Sequence, residues 1–260
     1  MTLFAWPKAA ALGRVVPKRK IYERGAVGSA LKERFVQQVE QITWAYKLAP
    51  ETVNLPITKA VTEIQVFRIA LKAAELDRNV LRAIDRAIPF PLIFELIQGG
   101  RIKVAAAYKR PSHTPKGEAD SSRRVVGRYF ETDWQPEQTT RQTLPVALDM
   151  SSLYEQLLSP LVQGGITHVK EQGSAPEARE PPAAIYSVAA TSEQPNRVTL
   201  EQRIALAEAI AAQQKEIQRI KVRLGREKQF NKRVAINAEL RDAKQELERL
   251  TQHQGASKSY

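Results

Sequence analysis

The chain has 260 residues, 43% of them hydrophobic, enough for one substantial core and an appendage. It contains no cysteine, which excludes disulfides, thiolate chemistry and the sulfur-ligated zinc or iron sites that need at least two cysteines. Its net charge of +12, from 40 Lys and Arg against 28 Asp and Glu, exceeds what solubility requires, so the placement of the cations matters more than their sum.

Residues 1–28 contain Pro7, Gly13, Pro17, Gly25 and Gly28 and hold no sustained period, so they read as a basic arm lying over the domain or only partly ordered. Its charge comes from Arg14, Lys18, Arg19, Lys20 and Arg24. In MTLFAWPKAAALGRVVPKRK the positive charges follow the apolar part, the reverse of a secretory signal, and no apolar run is long enough to span a bilayer. A cytoplasmic protein with no membrane partner is expected.

From Ser29 the apolar residues Leu31, Phe35, Val39, Ile42 and Tyr46 recur at three- and four-residue steps, the pattern of a helix that Pro50 closes. Val61 to Leu71 alternates with apolar residues on both sides, which predicts a central strand. Asp77 to Ile88 places Val80, Leu81, Ile84, Ala87 and Ile88 on a helical stripe. Pro91 to Ile97 and Arg101 to Tyr108 flank Gly99 and Gly100 and predict an antiparallel hairpin. Val125 to Trp134 reads as a fourth strand and Leu144 to Leu148 as a fifth, before Asp149 or Ser151 caps a helix carrying Leu153, Tyr154, Leu157, Leu158 and Leu161.

Residues 29–163 therefore predict an α/β (α+β) domain, a mixed and mainly antiparallel sheet of four to five strands with packed helices. Residues 164–198 shift to Gly, Pro, Ser, Ala and Glu and read as a flexible linker. Residues 199–252 predict a C-terminal helical coiled coil or hairpin. Leu206, Ile210, Ile217, Ile220 and Leu224 form one seam with Gln213 inside it, and Ile236, Leu240, Ala243, Leu247 and Leu250 form another in a different register. Gly225 lies at the break, so a hairpin turning near 225–228 competes with one long helix that pairs with another chain as a homo-oligomer. Residues 253–260 read as a disordered tail.

No common catalytic signature occurs: no P-loop, no G-x-G-x-x-G after a strand, no G-x-S-x-G and no H-E-x-x-H. His113, His168 and His253 fall in a predicted loop, linker and tail, poor places for a preorganised site. The expected protein has no metal and no cofactor. A metal-dependent nuclease is the enzymatic alternative, with Glu63, Glu95 and Lys103 around Mg2+, although no acid, spacer and lysine follow one another on a strand. Charged positions on a half-exposed sheet explain the same residues.

Aromatics interleave with basic residues at Tyr108, Lys109, Arg110 and then Tyr129, Phe130, Trp134, and Arg123, Arg124 and Arg128 belong to the basic stretch between. Single-stranded nucleic acid is held by such stacking and phosphate contacts, and ordinary cores with outward cations also look this way. Arg226, Lys228, Lys232 and Arg233 form a second basic set, either a hairpin tip that grips a partner or a solvated helix.

PETVNLP, EIQVFRIALK, LRAIDRAIPFPLIFEL, AAAYKR and YFETDW, in this order between about Lys20 and Val162, resemble a bacterial family catalogued only as a domain of unknown function. EKQFNKRVAINAEL is similar to an element of its longer members. The resemblance implies no catalytic residues. It does imply a neighbourhood, because members are often encoded beside helicases and DNA methyltransferases in restriction-like or defence loci, which suggests DNA more than RNA and a helicase or methyltransferase as partner. The function expected is a non-catalytic accessory subunit that binds nucleic acid through Lys109, Arg110, Arg123, Arg124, Arg128, Arg226, Lys228, Lys232 and Arg233 and docks a partner through its C-terminal helices. A purely structural protein-protein adaptor is the third reading.

Overall fold

The computed structural model describes residues 3–113, 119–171 and 199–256, and of 111–124, 165–171 and 253–256 it describes only the backbone where it describes them at all. Of the linker expected at 164–198, residues 164–171 are instead the end of a helix, and residues 172–198 lie outside the described residues. The chain divides into two compact units, Met1–His168 and Val169–Tyr260.

The first unit runs β1 (Leu3–Phe4), a single 3-10 turn, β2 (Ala11–Val15), α1 (Lys18–Arg24), α2 (Ser29–Gln38), β3 (Val39–Leu48), α3 (Pro50–Val53), β4 (Ile64–Leu71), α4 (Arg78–Ala87) and β5 (Leu92–Gln98). It continues with β6 (Arg101–His113), β7 (Ala119–Glu131), β8 (Gln135–Pro136), β9 (Arg141–Gln142) and α5 (Met150–Glu171). Seven strands form the main sheet, in the order β2-β3-β4-β5-β6-β7 with β8 beside β6. Only β4 and β5 in that sheet are parallel, and α4 supplies the crossover that parallel neighbours require. Gly99 and Gly100, both at positive φ, make the β5–β6 turn as expected.

The helix predicted from Ser29 to Tyr46 stops at Gln38, and Val39–Leu48 is strand β3. Two irregularities explain the misleading period. Register shifts fall between Val39 and Gln41 and between Trp44 and Tyr46, so the buried positions become Val39, Ile42, Ala45 and Leu48. An extra residue at each bulge turns a two-residue alternation into a three-residue one. Leu144 to Leu148 is not a strand; Val146 and Leu148 are exposed, and the short strand is β9, parallel to β1. The first 28 residues are also more than an arm, since β2 is an edge strand of the sheet and Ile21 of α1 is buried.

One face of the sheet, with Phe67, Ile69, Phe94, Leu96, Ala105 and Tyr129, packs on Ile21, Phe35, Val80, Leu81 and Ile84 of α1, α2 and α4. On the opposite face lies α5, whose Tyr154 stacks on Tyr108 with ring centroids 5.8 Å apart. The Tyr154 hydroxyl donates to the Ala107 carbonyl and accepts from the Lys109 N–H, filling the bulge between those residues.

The second unit contains α6 (Leu200–Arg226) and α7 (Phe230–Ala256), so the helical segment is a hairpin and continues through the first residues expected as tail. Ile217, Ile220, Ile236 and Ala243 form its seam, with Leu224, Leu240 and Leu247 against it. The Gln213 amide donates to the Ala243 carbonyl at 3.1 Å and ties the two helices across the seam. Gly225 stays inside α6, and the break is at Glu227–Gln229. No helix among the described residues is long and apolar enough to cross a membrane.

Candidate functional site

Lys109, expected to contact phosphate, is 2% exposed and cannot do so. Its ammonium lies 2.8 Å from Asp85 Oδ1 and donates to the carbonyls of Asp85, Ile88 and Phe90 at 2.8–2.9 Å. It therefore closes the C-terminus of α4, where free carbonyls favour a cation. The Tyr129 hydroxyl donates to the other Asp85 oxygen. Burial pushes the Asp85 carboxyl above its ordinary value against the pull of Lys109 and Tyr129, and it pushes the Tyr129 hydroxyl far up, so that group stays a donor.

The three residues of the nuclease alternative do not converge. Arg68, Glu95 and Val104 are cross-strand partners and share one face, whereas Lys103 partners Leu96 on the other. Glu95, 1% exposed, accepts from Trp6 Nε1 at 2.8 Å, from Arg68 Nη2 at 2.8 Å and from Arg141 Nη1 at 2.6 Å. Burial raises its carboxyl, yet these donors hold it below the ordinary carboxylate range. Lys103 pairs with Glu131, which burial raises and Lys103 and Arg78 together bring below its ordinary value. Glu63 meets Lys47 at 3.5 Å, on the order of 20 Å along the strand direction from the level of Lys103. Mg2+ has no shared site in this set, and no described group of three His, Asp or Glu side chains is placed to hold a metal. The cavity beside Glu95, lined by Phe4, Trp6, Ile93 and Leu157, holds about 10 Å³, room for at most one water.

Of the remaining predicted cations, Arg110 is exposed on β6, and Arg128 is half-buried with its guanidinium 5.8 Å from the Phe130 ring centroid. Arg123 and Arg124 lie on β7, with side chains outside the described residues. Arg226, Lys228, Lys232 and Arg233 are brought together and exposed around the turn between α6 and α7. They belong to the second unit and Arg110 and Arg128 to the first.

A different set of residues lines a wider concavity than the one beside Glu95. Gly25, Ala26, Ala30, Leu31, Arg34, Asn79, Arg82, Ala83 and Arg86 line a groove of about 250 Å³ between the end of α1, α2 and α4. Gly25 makes it by close approach: a Cβ there would lie 2.8 Å from the Ala83 carbonyl. Ala26 follows at φ 48° and turns the chain into α2. Asp77 caps α4 through the Asn79 N–H at 2.8 Å and also pairs with Arg34.

Arg78, Arg82 and Arg86 stand one helical turn apart on α4. Arg78 is engaged by Glu131 at 3.1 Å, while Arg82 and Arg86 are exposed and have no ion-pair partner among the described residues. Like charges at this spacing cost a helix about 0.2–0.5 kcal/mol per pair, a cost that an anionic ligand would remove. Guanidinium forks donate two parallel hydrogen bonds to a phosphate or carboxylate. The groove offers recognition of an anion and no nucleophile. In the sequence the apolar stripe of RNVLRAIDRA is the stronger signal and hides this role, although the four-residue arginine spacing is plain there. The contribution of Arg34 and Gly25 has no local signal.

The family described as Domain of unknown function (DUF4391) matches residues 4–247. The chain belongs to that family. No curated protein and no solved structure matches it.

Proposed function

We propose that this DUF4391 protein is a non-catalytic accessory subunit of a cytoplasmic nucleic-acid-processing complex of the restriction or defence kind. It binds DNA rather than RNA through basic surfaces, and its C-terminal hairpin docks against a partner such as a helicase or methyltransferase. The observation that carries the reading is the groove of Arg34, Arg82 and Arg86, where two arginines lack an ion-pair partner among the described residues. Exposed Arg110 and the basic hairpin turn extend the cationic surface. Glu95 and Lys103 on opposite faces argue against the nuclease alternative.

The test is equilibrium binding of short DNA by the full chain across a salt series, with Arg82→Glu/Arg86→Glu in parallel. Log affinity should fall linearly with log salt, by about 0.7–0.9 for each phosphate contacted. The double variant should lose roughly tenfold or more in affinity and show a shallower slope. Absent or salt-independent binding, or an unaffected double variant, overturns the proposal; a copurifying protein partner without any DNA affinity supports the adaptor instead.

A further inference from the structure

Between Arg219 and Val234 there are seven basic residues and one acid. The acid, Glu227, is used by the fold: its Oε1 accepts from the N–H groups of Lys228 and Gln229, both at 2.9 Å, and fixes the turn. Those hydrogen bonds, with Lys232 nearby, hold its carboxyl below the ordinary range. Arg226, Lys228, Lys232 and Arg233 are all exposed and have no ion-pair partner among the described residues. Among these cations, as the first residue of α7, stands Phe230, 78% exposed and contributing nothing to the hairpin seam. Val234, one turn along, is 53% exposed.

A solvated turn has no use for an aromatic ring, and the surrounding charge disfavours an apolar protein surface without acids. A polyanion with aromatic faces fits both features. Bases stack on exposed aromatic rings while nearby Lys and Arg hold the flanking phosphates, and the same cations strengthen a stacked ring assembly. Bases inside a duplex are stacked on each other and offer no face, so the ring distinguishes unpaired strands. The seam of Ile217, Ile220, Ile236 and Ala243 holds the turn at the end of a stiff helix pair.

We propose that the α6–α7 turn is a binding site for unpaired nucleic-acid strands, with Phe230 stacking on a base and Arg226, Lys228, Lys232 and Arg233 holding the adjoining phosphates. This rests on the nucleic-acid reading above and adds its substrate class. The experiment compares the full chain with Phe230→Ala, Phe230→Leu and Phe230→Trp on a labelled twelve-nucleotide oligothymidine and a blunt duplex of the same length, at one salt concentration. Phe230→Ala and Phe230→Leu should weaken the single strand about five- to hundredfold and leave the duplex within about twofold, while Phe230→Trp should bind like the original. Far-UV circular dichroism confirms that each variant keeps its helices.

Equal losses on both probes, a Leu variant that binds as well as Phe, or no loss at all overturns the site. So does a Phe230→Ala variant that releases a protein partner or a second copy while oligothymidine binding is unchanged. Failure here with duplex binding still dependent on Arg82 and Arg86 leaves the proposed function standing, whereas absence of all nucleic-acid binding removes both.

Discussion

Lys109 and Arg110 are neighbours of like charge with opposite fates, because adjacent residues on a strand point to opposite faces. Lys109 turns inward to Asp85 and three carbonyls, and Arg110 faces solvent. Removing one partner of a buried ion pair leaves the other charge uncompensated, at a cost of about 3–5 kcal/mol. Lys109→Met should therefore lower the urea midpoint of the α/β unit strongly with an unchanged m-value, and leave DNA affinity of the folded fraction unchanged; a stable variant with weakened binding would restore the original phosphate role. Glu95 predicts a pH effect. Its folded carboxyl lies below its unfolded value, so its contribution is present above about pH 4.3 and is lost as pH falls through the lower folded value. Glu95→Gln should be less stable than the original at neutral pH, and the gap should narrow on acidification below that value. Urea titrations at several pH values check it, and a constant gap would show that packing, not charge, is what Glu95 supplies.

At the scale of elements, the apolar strands β4, β5 and β6 were legible in the sequence because hydrophobic alternation and a Gly-Gly turn are local signals. β3 was not, since its two bulges gave it a helix-like burial period that only its pairing with β4 explains. Helix α4 was legible by one face alone: its apolar stripe faces the core, and its arginine row acquires meaning only beside α1 and α2. Their approach depends on Gly25. Gly25→Ala places a Cβ 2.8 Å and 2.9 Å from the carbonyls of Ala83 and Ile21, both backbone atoms that cannot swing aside. It should destabilise the unit by about 1–3 kcal/mol and weaken DNA binding by spreading the groove. Thermal denaturation alongside the salt-series binding assay reads both effects, and an Ala variant with original stability would mean that α1 and α4 pack less closely than described.

At the scale of the molecule, the net charge of +12 resolves into cations with different work. Lys18, Lys103 and Lys109 are spent inside the fold, on backbone carbonyls and carboxylates. Arg82 and Arg86 in the first unit and the four cations of the hairpin turn in the second remain exposed. The amino-acid sequence by itself determined the absence of sulfur chemistry, the basic character, the mixed α/β class and the seams of the helical hairpin, all of which depend on composition or on short-range periodicity. Tertiary structure alone decided that Trp6, Arg68 and Arg141 enclose Glu95, that Lys109 is buried, and that Arg34, Arg82 and Arg86 share one groove. Those outcomes depend on strand register and on the approach of helices distant in the chain, and no local pattern encodes either.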